Sequence, residues 1–217
     1  MKILGIDEAG RGPIIGPMVM AGVLIEEETN EKFLEMGVKD SKLLLPAKRE
    51  GLFPHIIKKS IAHEIVIISA KEIDDALLSP TSNLNWLEAN TTAYIINKLK
   101  PERAIIDSPS NNIKAYKEYL MNHIFDPTIE LVVEHKADVN HPSVAAASIL
   151  AKVRRDEEVE RIKKMIGIDF GSGYMSDPKT KEFLEKNWSK FSAIFRKTWA
   201  PYKEIEKRRN QARLGDF

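Results

Sequence analysis

The sequence predicts an α/β fold, with a mixed five-stranded sheet flanked by helices and a helical appendage at the C-terminal end. Apolar runs of strand length, rich in Ile and Val, alternate with longer segments whose apolar residues recur at helical spacing. The first two apolar runs are separated by a short glycine-rich turn, which favours an antiparallel pair. Later runs are separated by helical segments, which favour parallel pairing through crossovers. Basic helical segments follow residue 165.

Length and composition limit the class of protein. With 217 residues, 43% of them hydrophobic, the chain can form one sizeable domain, predicted over 1–165, followed by a helical extension over 166–210 and a tail over 211–217. The absence of cysteine excludes disulfides, thiol nucleophiles and cysteine-based zinc sites. No apolar run has the length of a membrane span or of a signal-peptide core, so we expect a soluble, cytoplasmic protein.

The charge is unevenly distributed along the chain. The formal net charge is +1, but residues 152–217 hold 17 Lys and Arg against 11 Asp and Glu. The rest of the chain, with 16 against 21, is acidic. A basic C-terminal third fits a polyanionic partner such as nucleic acid.

The first predicted strand ends in two adjacent carboxylates. Residues 2–16 read KILGIDEAGRGPIIG, so that Asp7 and Glu8 directly follow an apolar run. Side chains alternate along a strand, which places the two acids on opposite faces unless a bulge or the strand end lets them converge. A strand that simply ends in solvent would also explain the pair. The Gly10–Gly12 turn favours the functional interpretation, because its exposed N–H groups suit a phosphate or a sugar and the acids suit a bridging metal.

The following elements are assigned in chain order. A second strand is predicted over 17–25, paired antiparallel with the first, and a third over 63–69. Helices are predicted over 29–37, from Pro46, over 71–78 and over 84–99. The apolar spacing within the last of these helices places Trp86 in the core.

Two further strands each lead to an acid. Residues 103–108 form a short apolar strand that ends at Asp107, and residues 129–134 form another that precedes Asp138. Parallel strands joined by crossovers gather their C-terminal ends at one edge of the sheet. Asp7, Glu8, Asp107 and Asp138 are therefore expected to meet, and oxygen-only ligands favour Mg²⁺ or Mn²⁺ over zinc. None of the five histidines has the spacing of a metal ligand.

A long helix and a glycine-rich segment complete the chain. Ala145, Ala146, Ala147 and Ala151 predict close packing of a helix against the sheet, and Lys152 lies further along the same helix. The segment 166–176 presents Tyr174 between flexible neighbours, which a packed core would seldom require. Basic helices are predicted over 179–190 and 202–213.

Several of these strings resemble the ribonuclease HII family in its archaeal form. They are GIDEAGRGP at 5–13, KDSKLL at 39–44, AIIDSP at 104–109, HKAD at 135–138, VAAASILAKVRRD at 144–156 and GSGYMSDP at 171–178. The resemblance implies a ribonuclease H-like fold. It also implies an endonuclease that hydrolyses the RNA strand of RNA/DNA hybrids and cuts 5′ of single ribonucleotides in duplex DNA, leaving 3′-hydroxyl and 5′-phosphate ends.

The same resemblance implies a role for each matched residue. Two Mg²⁺ or Mn²⁺ ions, roughly 4 Å apart in such sites, would be bridged by Asp7, with Asp138 on the side of the attacking water and Glu8 and Asp107 on the leaving-group side. The implied substrate contacts are Gly10, Arg11 and Gly12 at the 2′-hydroxyl, Lys42 and Lys152 at phosphates, and Tyr174 at the next sugar. Met175 departs from the family, which more often has proline there, and the role of Arg155 stays open.

The pattern at the start of the chain also fits two other classes of protein, and the C-terminal tail carries a separate motif. A strand with an acid also begins sugar-kinase-like and actin-like ATPases, but a second glycine-rich phosphate loop is missing from the sequence. A non-catalytic hybrid-binding module would not need four acids where a polyanion binds. The last seven residues resemble a sliding-clamp-binding peptide, with Gln211, Leu214 and Phe217 as contacts, and a frayed terminus is the alternative. A monomer is expected.

Overall fold

The computed structural model describes residues 1–39 and 41–214, without the side chains of Lys42 and of residues 212–214. The chain forms two compact units, which are described separately. Unit 1 contains residues 1–9, 19–67 and 84–155. Unit 2 contains residues 10–18 and 68–83 and the chain from residue 156 onward.

The sheet has five strands, as the sequence predicts. They are β1 (Lys2–Ala9), β2 (Met18–Glu26), β3 (Ala62–Ile68), β4 (Arg103–Asp107) and β5 (Glu130–Glu134). The strand order is β3-β2-β1-β4-β5. Strand β1 pairs antiparallel with β2 and parallel with β4, and β4 pairs parallel with β5. The sheet is therefore mixed, because a short turn joins the first two strands and helical crossovers precede the later ones.

The helices are α1 (Thr29–Glu35), α2 (Pro46–Lys59), α3 (Ala70–Leu78), α4 (Leu84–Leu99), α5 (Ile113–Met121), α6 (Ala137–Asn140), α7 (Pro142–Ile166), α8 (Pro178–Asn187) and α9 (Ala200–Leu214). Most predicted helices are confirmed to within a few residues, but α7 extends to Ile166, well beyond its predicted motif, and the short α6 was not predicted. Short 3₁₀ turns lie at Ser41–Leu43 and Ser192–Ile194. None of the helices described here is both long enough and apolar enough to cross a bilayer.

The core of unit 1 depends on a close approach between α7 and β1. The alanines of α7 predicted to face the sheet, Ala145–Ala147 and Ala151, are all buried. A Cβ atom added to Gly5 of β1 would lie only 2.2 Å from the carbonyl carbon of Ser143 and 2.4 Å from the nitrogen of Val144. Only glycine at position 5 allows the first turn of α7 to pack at this distance.

The prediction for Trp86 is wrong. Its side chain is only half-buried, and its ring stacks on that of Tyr119 with a centroid distance of 4.2 Å. The ring of Tyr119 in turn stacks on His123 at 4.3 Å. Helical spacing identified the apolar face of α4, but α5 supplies aromatic partners at the margin of that face, where Trp86 is partly exposed.

Unit 2 has its own apolar core. Aromatic residues from three segments meet there, with Phe183 of α8 lying 5.6 Å from Phe170 and 5.8 Å from Phe195 between ring centroids. Ile14 and Ile15 are fully buried in this cluster. The loop that follows β1 is thus fixed to the packing of unit 2.

Candidate active site

Strand pairing places Asp7 beside Asp107. In the parallel pair of β1 and β4, Ile6 lies opposite Ile106, so the next residue of each strand is an aspartate. Neighbouring parallel strands in register direct equivalent side chains to the same face, about 4.8 Å apart. The carboxylates of Asp7, inside β1, and of Asp107, the last residue of β4, thus lie side by side.

Asp138 reaches the same place from the turn after β5. Lys136 has a left-handed backbone conformation, with φ of 60°, which is uncommon for a non-glycine residue and turns the chain into α6. The N–H of Ala137 donates to Oδ1 of Asp107 at 3.2 Å, which joins this turn to the end of β4. Asp138 follows and is fully buried. One oxygen each of Asp7, Asp107 and Asp138 lie within 4.8 Å of one another.

Burial changes the ionisation of this group. The pKa of Asp7 is raised to about 6, chiefly because its buried carboxylate has lost hydration, and the charge of Asp107 raises it further. The ammonium group of Lys152 and hydrogen bonds from Ser148 and from the N–H of Glu8 act in the opposite direction. A buried carboxyl group beside another acid at neutral pH requires a compensating cation.

A hydrogen-bond chain that the sequence analysis missed orients Asp7. Nζ of Lys152 donates to Oγ of Ser148 at 2.7 Å, and the hydroxyl groups of Ser148 and Ser41 are 2.8 Å apart. Both serines are fully buried. Because Ser148 accepts from Lys152, its own proton is available for Asp7. A signal existed in the sequence: Ser148 is the one polar residue between Val144 and Ala151, four residues before Lys152.

Glu8 and Lys42 are two other predicted site residues in unit 1. Glu8 is half-buried, and in the described part of the chain no oxygen of Glu8 belongs to the three-carboxylate group. Strand β1 continues to Ala9, so the alternation of side chains persists through both acids. Lys42 lies in the 3₁₀ turn Ser41–Leu43, and its side chain is outside the described residues.

Unit 2 brings together the other predicted substrate contacts. Gly10 has a positive φ of 78°, which only glycine adopts readily, and it turns the chain away from β1. Gly12 is exposed, and a Cβ atom built on it would lie 3.7 Å from Cε1 of Tyr174. The N–H of Ile14 donates to the carbonyl oxygen of Gly173 at 2.9 Å. Gly12 thus belongs to the same surface as Tyr174.

The donor set of unit 1 fits a hard divalent cation. Three carboxylates converge, and in the described residues neither histidine nor cysteine belongs to the group. All-oxygen ligands suit Mg²⁺ or Mn²⁺. Such an ion would neutralise the charge that burial otherwise penalises at Asp7.

A mixed five-stranded sheet in this order, with converging carboxylates at the ends of its central strands, defines a metal-dependent nuclease of the ribonuclease H-like class. The family model described as Ribonuclease HII matches residues 4–202. Ribonuclease HII of Pyrococcus furiosus is 45% identical over 210 residues, covering 95% of this chain and 92% of that protein. The chain therefore belongs to the ribonuclease HII family and is a metal-dependent endonuclease.

Two solved structures are similar to this chain. The crystal structure of ribonuclease H2 from Pyrococcus horikoshii OT3 matches with a TM-score of 0.86 and 39% identity, covering 96% of this chain and 98% of that one. The structure of the PCNA:RNase HII complex from Archaeoglobus fulgidus matches with a TM-score of 0.81 and 40% identity, covering 92% and 95%. Both confirm the predicted fold class.

The raised pKa of Asp7 predicts that protons compete with the metal. In protein stripped of metal, the affinity for Mn²⁺ should be nearly constant above pH 7 and should fall about tenfold for each pH unit below 6, because Asp7 must lose its proton to bind the ion. Calorimetric titration between pH 5 and 8 measures this. A carboxylate with an ordinary pKa near 4 would give constant affinity down to about pH 5, and that result would contradict the prediction.

Proposed function

We propose that this protein cleaves the RNA strand of RNA/DNA hybrids and cuts on the 5′ side of single ribonucleotides embedded in duplex DNA. The observation that carries the proposal is the convergence of Asp7, Asp107 and Asp138 within 4.8 Å, beside the ammonium group of Lys152. Water adds to the phosphorus atom and the bond from phosphorus to the 3′-oxygen breaks. The products are a 3′-hydroxyl and a 5′-phosphate.

The carboxylates of unit 1 would hold two divalent ions, Mg²⁺ or Mn²⁺. Such ions, when bound, activate the attacking water and stabilise the charge on the leaving oxygen. Asp7 is the proposed bridging ligand, because it is buried between an acid and a lysine. Asp107 and Asp138 complete the described set, and Glu8 stays a proposed fourth ligand.

The remaining residues bind and orient the nucleic acid. Lys152, half-buried four residues after Ser148, is proposed to contact a phosphate oxygen, and its ammonium group favours the ionised form of Asp7. Lys42 is proposed as a second phosphate contact. In unit 2 the Gly10–Gly12 loop is proposed to recognise the 2′-hydroxyl, since discrimination of RNA from DNA requires a contact to that group. Tyr174, 36% exposed, would pack on the next sugar.

Cleavage mapping on a duplex with one ribonucleotide tests this proposal. We expect a single cut immediately 5′ of the ribonucleotide, no cut in the all-DNA duplex of the same sequence, and complete loss of cleavage in EDTA that Mg²⁺ or Mn²⁺ restores. Ligation of the upstream fragment identifies its 3′-hydroxyl. A cut on the 3′ side, or cleavage that persists in EDTA, would reject the mechanism.

A sliding clamp is the proposed protein partner. Helix α9 ends in basic residues and carries Gln211 exposed at its C-terminal end, followed by a tail that resembles a clamp-binding peptide. The side chain of Leu214 and residues 215–217, including Phe217, lie outside the described residues. A structure similar to this chain is of a complex between PCNA and RNase HII, which supports the proposal. The enzyme itself is proposed to act as a monomer.

Removal of residues 211–217 should separate hydrolysis from clamp binding. We expect unchanged hydrolysis of short duplexes and loss of binding to the cognate sliding clamp, measured by surface plasmon resonance, because hydrophobic tail residues would provide the contact. The matched control is Asp216→Ala, which alters the tail at none of the three proposed contact residues and should keep its clamp affinity. Full clamp affinity in the truncated protein would rule out this site.

A further inference from the structure

Arg196 is the largest fully buried side chain in the described part of the chain, and the chemistry of the carboxylates does not explain it. A buried guanidinium group loses its hydration, which is costly unless its N–H groups meet acceptors. Those acceptors are carbonyl oxygens of the loop after β1. Nη2 donates to Gly10 at 2.5 Å, Nη1 to Arg11 at 2.7 Å and Nε to Gly16 at 3.1 Å.

Trp199 completes this contact. Its Nε1–H donates to the carbonyl oxygen of Gly12 at 3.3 Å. Its ring also packs on the guanidinium group of Arg196, with 5.0 Å between the guanidinium carbon and the ring centroid, a favourable cation–π distance. The carbonyl groups of Gly10, Arg11 and Gly12 therefore all accept hydrogen bonds from one short segment, 196–199.

Asp74 fixes the backbone of that segment. This buried carboxylate accepts from the N–H of Lys197 at 2.8 Å, from the N–H of Thr198 at 2.9 Å and from the hydroxyl of Thr198 at 2.6 Å. The N–H of Arg196 donates to the carbonyl of Ile14 at 2.9 Å. Asp74 and Ile14 thus fix the backbone that carries Arg196, while the loop carbonyls fix its guanidinium group.

The orientation of the carbonyl groups determines the orientation of the amides. In a planar trans peptide unit, the C=O bond and the following N–H bond point in opposite directions. Because the carbonyls of Gly10 and Arg11 point at the guanidinium group, the N–H groups of Arg11 and Gly12 point away from it. The carbonyl of Gly12 is followed by Pro13, which has no N–H. The segment therefore orients two successive donors on the face of the loop opposite Arg196.

We propose that Arg196, with Trp199, is a positioning residue for discrimination between ribonucleotides and deoxyribonucleotides. It orients the N–H groups of Arg11 and Gly12, which donate to the 2′-hydroxyl oxygen. Gly12 is exposed next to Tyr174, so a sugar can reach this pair of donors. The inference rests on the proposed recognition of the 2′-hydroxyl by this loop.

The test compares two duplexes that differ by one 2′-hydroxyl. Affinities are measured by fluorescence anisotropy with Mg²⁺ in an Asp7→Asn background, which is expected to bind without cleaving. Arg196→Lys retains the charge, but it replaces a planar group that donates to three carbonyl oxygens with a single ammonium group. We expect it to reduce the preference for the ribonucleotide duplex about tenfold, and to change the affinity for the all-DNA duplex less than about twofold, because lost donor orientation costs about one hydrogen bond.

Two further variants keep the test decisive if Arg196→Lys folds poorly. Trp199→Phe retains an aromatic ring but removes the donor to Gly12, and we expect about a threefold smaller preference. Arg161→Lys changes an exposed arginine paired with Glu158 and should leave the preference intact.

The outcomes separate the inference from the proposed function. Full preference in both Arg196→Lys and Trp199→Phe, or equal weakening of both duplexes, would overturn the positioning role. No preference in the Asp7→Asn background itself would overturn the proposed recognition of the 2′-hydroxyl and the inference with it.

Discussion

Replacement of Asp7 by Asn should reduce cleavage at least about 1,000-fold while leaving duplex binding intact or tighter. The amide has nearly the same shape but cannot act as an anionic ligand, and its substitution also removes a charge that repels phosphate. Single-turnover cleavage and anisotropy with the same ribonucleotide-containing duplex measure the two effects. Cleavage at the wild-type rate would contradict the proposed role of Asp7 as a bridging ligand.

The stability of the metal-free variant provides the control for this experiment. Because burial raises the pKa of Asp7 to about 6, ionisation of this group costs folding free energy above that pH, and the cost is absent below its unfolded pKa near 4. The Asp7→Asn protein should therefore be more stable in EDTA at pH 8, by up to about 3 kcal/mol. The difference should vanish near pH 4. A less stable variant at pH 8 would mean that the loss of cleavage reports on folding.

Replacement of Gly5 by Ala should be strongly destabilising. The added Cβ would lie 2.2 to 2.4 Å from backbone atoms of Ser143 and Val144, and backbone cannot move aside as the end of a side chain can. We expect a loss of about 3 kcal/mol or more in the free energy of unfolding. Cleavage should also fall, since α7 carries Ser148 and Lys152. Urea unfolding measures the stability.

Gly51 provides the matched control for this substitution. It lies inside α2, and a Cβ added there meets nothing within 4 Å. Gly51→Ala should therefore stabilise the protein by up to about 1 kcal/mol, because alanine is the better helix former. If both alanine variants had the same stability, the close approach of α7 to β1 would not be the reason for glycine at position 5.

Periodic patterns predicted most of the secondary structure. The apolar runs gave the strands of the sheet, and the turn after β1 gave the antiparallel pairing of β1 with β2. These features depend on local conformational preference and on burial of one face, which adjacent residues encode. Trp86 was wrongly assigned to the core, because its stacking partner Tyr119 lies on α5, which is distant in sequence.

The candidate site was predicted in part. Asp7, Asp107 and Asp138 each follow or end an apolar strand, so parallel pairing was enough to expect their convergence. Ser41 and Ser148 were not identified, because the polar position of Ser148 in a small-residue stretch marks that residue alone and does not show that its partner is Ser41, 107 residues away in the chain.

The sequence by itself determined the fold class, the family and the expectation that carboxylates at the ends of apolar runs converge, because the apolar periodicity and the motif strings are contained in the linear pattern. Only the tertiary structure decided how those groups are held and charged. The pKa of Asp7 is raised chiefly by burial and further by Asp107, against the opposing effect of Lys152. The carbonyls of Gly10 and Arg11 are oriented by Arg196, which lies more than 180 positions away. Desolvation and hydrogen-bond direction depend on which distant groups surround an atom, and this arrangement exists only once the chain has packed.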